Sequence, residues 1–123
     1  MSVYKENNLI ITLTLEFALE IMKYCDELES SRKYNMARQL WRSGTAIGAL
    51  ANEAQNAESK LDFIHKMKIA AKEGDETEYW LRLCKNSLNY PPVNELQLKL
   101  ESINKIINKI ISTSKNKNNL KIS

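Results

Sequence analysis

The sequence predicts an all-α chain folded as an antiparallel up-down four-helix bundle. Three observations carry that reading. The 123 residues include only three glycines and two prolines, too little punctuation for a β-rich or loop-rich fold. Apolar residues recur at spacings of three and four in four successive segments, which is the period of an amphipathic helix. Short polar connectors separate the segments, so consecutive helices must lie side by side. A chain of this length is one domain. It hides roughly two thirds of its unfolded surface on folding, so its core needs neither disulfides nor metal.

The first helix is predicted from about Thr12 to Glu29. Ile10, Phe17, Ile21, Tyr24 and Leu28 form its inward stripe, widened by Ile11, Leu15, Ala18, Met22 and Cys25. The polar run Ser30-Ser31-Arg32-Lys33 breaks the pattern. A second helix then spans Tyr34 to about Gln55, with Met36, Leu40, Ile47, Ala51 and Ala54 inward. The third begins near Ser59, where Ser59-x-x-Asp62 has the form of a capping box. Its hydroxyl can accept from a free amide, and its acid sits beside the positive end of the helix dipole.

Leu61, Ile64, Met67, Ala71, Leu81, Cys84 and Leu88 supply the apolar face of the third helix, which reaches towards Asn89. Asn89-Tyr90-Pro91-Pro92 stops it, because proline has no amide proton and disfavours helix in the residue before it. The fourth helix starts near Asn94 and carries Leu96, Leu100, Ile103, Ile107 and Ile110, with Ile106 and Ile111 beside them. That breadth exceeds one stripe and points to self-association. From Thr113 the chain turns to Ser, Asn and Lys. Residues 1–113 are expected to form the bundle, and residues 114–123 a disordered polar tail.

Composition excludes several classes of function. No apolar run of 18 residues exists, and no basic segment precedes an apolar stretch at the N-terminus. A soluble cytoplasmic protein with no membrane partner is expected. Cys25 and Cys84 stand without CxxC or ligand spacing and read as reduced core thiols. The net charge of +3 is uneven. Lys105, Lys109, Lys115, Lys117 and Lys121 follow Ser102 without an acid, leaving about −2 for residues 1–101.

Ser43-Gly44-Thr45-Ala46-Ile47-Gly48-Ala49 is the most informative segment. Two glycines inside a helix cost about 1 kcal/mol each relative to alanine, so something must compensate. Gly44 and Gly48 lie four apart on one face and let a neighbouring helix approach closely. Neither a Gly-x-x-x-x-Gly-Lys-Ser/Thr nor a Gly-x-Gly-x-x-Gly pattern is present, so a phosphate-cradling loop is excluded. Asp62-x-x-His65 is half of a di-metal carboxylate motif, but His65 is the single histidine. No metal or cofactor is expected.

Glu53, Glu58, Glu73, Glu76 and Glu78 form no acid–base pair, and no catalytic residue is identified. Asp62–Lys66, Lys72–Glu76 and Glu78–Arg82 are spaced as i,i+4 ion pairs, worth tenths of a kcal/mol. Arg38 and Arg42 share a face of the second helix, and Lys60, Lys66, Lys68 and Lys72 populate the third. Two readings stay open. The basic residues form either a solvated, ion-paired face or a phosphate-binding surface that oligomerisation multiplies.

Leu40-Trp41-Arg42-Ser43-Gly44-Thr45-Ala46-Ile47-Gly48-Ala49, continuing to Asn52-Glu53-Ala54, resembles a signature of four-helix-bundle proteins encoded in intervening sequences of bacterial 23S ribosomal RNA genes. Ser59-Lys60-Leu61-Asp62-Phe63-Ile64-His65-Lys66, Ala71-Lys72-Glu73 and Glu76-Thr77-Glu78-Tyr79-Trp80-Leu81 resemble its second block. The likeness runs from about Phe17 to Ile111. Gly74-Asp75 departs from the pattern, which more often has a small residue followed by a polar or basic one.

The resemblance implies a ring-like homopentamer and no enzymatic activity. It also implies kinship with the accessory variability protein of diversity-generating retroelements, a basic pentamer that works with nucleic acid and reverse transcriptase. The resulting expectation is a non-enzymatic homo-oligomer that binds RNA or DNA, RNA foremost. Arg38, Arg42, Lys60, Lys66 and Lys72 would contact the nucleic acid, and Gly44 and Gly48 would pack helices. The alternative is a protein-interaction adaptor with no nucleic-acid role. An enzyme would need a convergent pocket of titratable groups, which the sequence does not display.

Overall fold

The computed structural model describes residues 2–122, with side chains from Asn7 to Asn116. Four helices account for nearly all of them: α1 (Ser2–Ser30), α2 (Tyr34–Gln55), α3 (Lys60–Lys85) and α4 (Asn94–Ile122). Each helix packs on its neighbours in sequence, and α1 packs on α4 to close the bundle. Among the described residues the backbones of neither diagonal pair approach closely.

Cross-helix pairs fix the directions. Thr14 faces Gly48 while Ile21 faces Gly44. Glu53 pairs with Lys66 while Ser43 meets Thr77. Glu20 pairs with Lys99 while Tyr24 donates a hydrogen bond to the Pro91 carbonyl. In each pair of helices one position rises as the other falls, so these neighbours run antiparallel.

The inward stripes meet in one core. Phe17, Ile10, Ile21 and Leu28 of α1, Leu40 and Ile47 of α2, and Met67 and Leu81 of α3 are fully buried. Leu100, Ile103, Ile107 and Ile110 of α4 complete it. Burying each of these large side chains contributes about 1.5–3 kcal/mol. Ser59 caps α3 as expected: its Oγ accepts from the Asp62 amide at 3.0 Å, while Asp62 Oδ2 accepts at 3.3 Å from the amide of Glu58, one residue before the cap.

Several expectations need correction. Helix α1 begins at Ser2, not near Thr12. Ile10 and Thr14 are buried, and tertiary packing of that kind sustains a helix beyond what local propensity dictates. Leu15, Leu61 and Leu88, assigned inward, are 60%, 71% and 89% exposed. The first two lie on the flanks of their stripes. Leu88 falls in the connector, because α3 ends at Lys85.

Residues 114–123 were expected to form a disordered tail, but α4 continues to Ile122 and Ser114 is buried. Ser114 extends the stripe of Ile103, Ile107 and Ile110 by another four residues, and its small hydroxyl side chain fits where the stripe remains covered. Ile106 and Ile111, which broaden the apolar face of α4, are half-buried and pack against the core. Among the described residues no helix is long and apolar enough to cross a membrane.

Candidate functional site

The outer side of the α2–α3 seam is built around Arg42. Its guanidinium projects from α2 and pairs with two carboxylates of α3, Glu73 at 3.2 Å and Glu76. Glu76 also accepts a hydrogen bond from Trp80 Nε1 at 3.1 Å. Glu73, Glu76 and Trp80 recur on α3 at spacings of three and four, which places them on one side of the helix. Burial alone would raise the Glu76 carboxyl. The hydrogen bonds from Arg42 and Trp80, with the charges of Arg42 and Lys72, outweigh that and hold it below the usual carboxylate value.

The five basic residues singled out in the sequence do not form one open patch. Arg42 is held by the two acids. Lys66 reaches across to Glu53 at 3.3 Å, instead of along its own helix to Asp62, whose carboxylate is engaged at the cap. Arg38 is exposed and donates to Asn35 Oδ1 at 2.6 Å. Lys72 is exposed and Lys60 half-buried. Of the intrahelical pairs, Glu78–Arg82 forms at 2.7 Å. Sequence spacing could not disclose the Arg42 and Lys66 pairings, because they depend on the rotation and register of two helices.

Basic residues also neighbour one another between α3 and α4. The positive charge of Lys115 lowers the pKa of Lys68. No carboxylate is among the charges acting on Lys68. Reading the lysines as a polar tail concealed this neighbour.

Gly44 and Gly48 are buried on the side of α2 that meets α1. A Cβ on Gly44 would lie 2.9 Å from both Cγ atoms of Ile21, and one on Gly48 would lie 3.1 Å from Thr14 Oγ1. Gly74, on α3, is buried in the same manner against Asn104 of α4. Its departure from the family pattern therefore coincides with a close helix contact.

Beside the α1–α2 seam stand several exposed apolar side chains. Leu15 and Leu19 of α1 are more than half exposed, and Trp41 of α2 is 42% exposed. Ile11, Ala18 and Met22 are half-buried along the same flank of α1. Glu16 and Glu20, the acids on this stretch of α1, both turn towards α4 and Lys99.

A groove of about 720 Å³ is lined by Glu20, Lys23, Tyr24, Glu27 and Glu95 among others. Its hydroxyl, Tyr24, is committed to the Pro91 carbonyl at 2.8 Å, and burial raises its pKa. No group of three or more potential metal ligands is assembled among these residues. Cys25 and Cys84 are buried free thiols.

Comparison with known proteins places this bundle. The family model described as 23S rRNA-intervening sequence protein matches residues 6–111. The chain belongs to that family. The match takes in α1 from Glu6 and reaches Ile111 on α4, so the Arg42 seam and the glycine contacts of this 23S rRNA-intervening sequence protein lie within the matched span, while Lys115 lies outside it. A solved structure of a protein of unknown function from the S23 ribosomal protein family of Bacteroides thetaiotaomicron is similar, at 37% identity and a TM-score of 0.83. The alignment covers 87% of this chain and 98% of that one. A comparison with curated proteins gives no match.

Proposed function

We propose that this member of the 23S rRNA-intervening sequence protein family is a non-enzymatic cytoplasmic scaffold that assembles with copies of itself and binds RNA. The observation that carries the assembly is the exposure of Leu15 and Leu19 on α1 and of Trp41 on α2. Large apolar side chains exposed beside one seam fit an interaction site. A closed ring is the simplest product, and the family likeness favours a homopentamer. Copies in a ring repeat every basic group, and repeated positive charge is what a polyanion recognises.

Light scattering of the protein at micromolar concentration, paired with extraction of co-purifying nucleic acid, tests both parts. The expected result is an oligomeric mass that Leu15→Glu with Trp41→Glu reduces to the monomer, together with RNA released from the wild-type protein. A monomeric wild type refutes the assembly, and absence of RNA binding at low salt refutes the ligand.

A second reading draws on the acid pairing of Arg42 and Lys66. With these cations neutralised inside the protein, an adaptor that takes a polypeptide on the exposed apolar side chains of α1 and α2 fits as well. An oligomer that ignores RNA would favour it.

A further inference from the structure

We propose that the groove between the α1–α2 and α3–α4 connectors takes the phosphorylated end of an RNA strand, with the adjoining base laid against Tyr34. This deepens the RNA reading and rests on it. It concerns the terminus of a strand, whereas the basic helix faces would engage its length.

Arg32 and Lys33 belong to the connector after α1, and Tyr90 to the connector before α4. With Tyr34 and Arg38 from the first two turns of α2 they line a groove of about 430 Å³, within the range of roughly 300–1,000 Å³ usual for small-ligand pockets. Lys33 Nζ stands 4.9 Å from the centroid of the half-buried Tyr90 ring, a cation–π distance. Arg38 Nη2 donates to Asn35 Oδ1 at 2.6 Å, which steadies the guanidinium on its own helix. No carboxylate lines the groove. Among the described residues Arg42, Lys66, Arg82 and Lys99 all pair with acids, and Arg32, Lys33 and Arg38 do not. An anion entering here meets positive charge from three side chains without first displacing an acid.

Two features select the ligand. Cations from two elements gathered on one small volume favour a compact anion of more than one charge. A phosphate monoester carries about −1.5 to −2 charge near pH 7 and three acceptor oxygens, whereas each diester within a strand carries one. The second feature is Tyr34, which is 50% exposed at the mouth of a groove it also lines. Aromatic rings set among cations hold single-stranded nucleic acid by stacking its bases. A phosphoserine peptide supplies the charge but no planar ring beside it.

The test uses the full chain and one single-stranded RNA, labelled with fluorescein at an internal base and made with a 5′-phosphate, a 3′-phosphate or hydroxyls at both ends. In anisotropy titrations at fixed salt, at least one phosphorylated form should bind about tenfold more tightly than the hydroxyl form, and the preferred form identifies the end. Arg32→Asn with Arg38→Gln should abolish that ratio. Asparagine suits the φ of 63° at Arg32, and glutamine keeps a donor for Asn35. Tyr34→Leu should weaken the preferred form about fivefold or more. Melting curves establish that the variants are folded. Equal affinity for all three RNAs, or a ratio that survives the double substitution, would overturn the site while leaving RNA binding intact. Unchanged affinity in Tyr34→Leu would overturn the stacking. Tighter binding of a phosphoserine peptide than of either phosphorylated RNA would assign the groove to a polypeptide and overturn the proposal. A wild type that binds none of the RNAs would overturn the RNA reading itself.

Discussion

Ser43 Oγ and Thr77 Oγ1 lie 2.9 Å apart between α2 and α3, with both side chains fully withdrawn from solvent. The single proton of Thr77 goes to the Glu73 carbonyl at 2.7 Å, which leaves Ser43 to donate to Thr77. Thr77→Val keeps the shape and deletes the acceptor, so Ser43 must turn back on its own helix. A loss of about 1–3 kcal/mol is expected. The double variant with Ser43→Ala should cost less than the sum of the two single changes. Urea melts of the four proteins provide the comparison, and strict additivity would show that the hydroxyls act independently.

Gly48 offers a second measurable contact. A Cβ there would meet Thr14 Oγ1 at 3.1 Å and Thr14 Cβ at 3.2 Å, and Thr14 is tied down by its 2.6 Å bond to the Ile10 carbonyl. Gly48→Leu should therefore destabilise the protein by about 1–3 kcal/mol through overpacking. Helix propensity alone would work in the opposite direction by nearly 1 kcal/mol. A melting temperature at or above that of the wild type would show that α1 yields easily at this point.

The Arg42–Glu76 pair gives stability a dependence on acid. Since the folded-state pKa of Glu76 is depressed, its contribution is present above the unfolded value of about 4.3 and fades as pH falls through the lower folded value. Glu76→Gln should flatten that part of the stability profile while leaving the neutral-pH fold intact. The effect is small, because the pair is solvent-exposed. Denaturant midpoints measured at successive pH values below 5 would reveal it, and parallel profiles for the two proteins would refute it.

The thiols make a prediction of the opposite sign. Burial pushes the Cys25 thiol up to about 12 and raises that of Cys84. The neutral form is thus favoured on folding, with full benefit below the unfolded value of about 8.5 and loss as pH climbs towards the folded value. Neither residue should react with a disulfide reagent at pH 8 faster than the chain unfolds, because the thiolate is the nucleophile. Two equivalents should react at once in denaturant. Rapid labelling of the native protein would contradict the burial of these groups.

Much of the fold is legible in the sequence, and specific residues show why the rest is not. Periodicity and proline placement give Tyr34–Gln55 and the start of α4 at Asn94, and both agree with the helices. Ile10, Phe17, Ile21 and Leu28 read as inward and are fully buried. Periodicity locates the centre of an apolar stripe but not its edges, so Leu15 reads as inside. The pairing of Ser43 with Thr77 escapes notice because a polar side chain carries no hydropathy signal when its partner stands on another helix. The partners of Arg42 and Lys66 are hidden for the same reason.

The order of packing around the bundle also bears on how the chain condenses. Three of its four seams join helices that are consecutive in sequence, across connectors of three, four and eight residues. Such contacts close small loops, and topologies dominated by them fold fast, from microseconds to milliseconds. The α1–α4 seam alone requires the chain to bring distant segments together. Glu20–Lys99 and Tyr24–Pro91, which bridge it, therefore belong to the last step of assembly. Their loss should quicken unfolding and leave the refolding rate almost unchanged, which makes this seam the natural place for the folded bundle to begin to open.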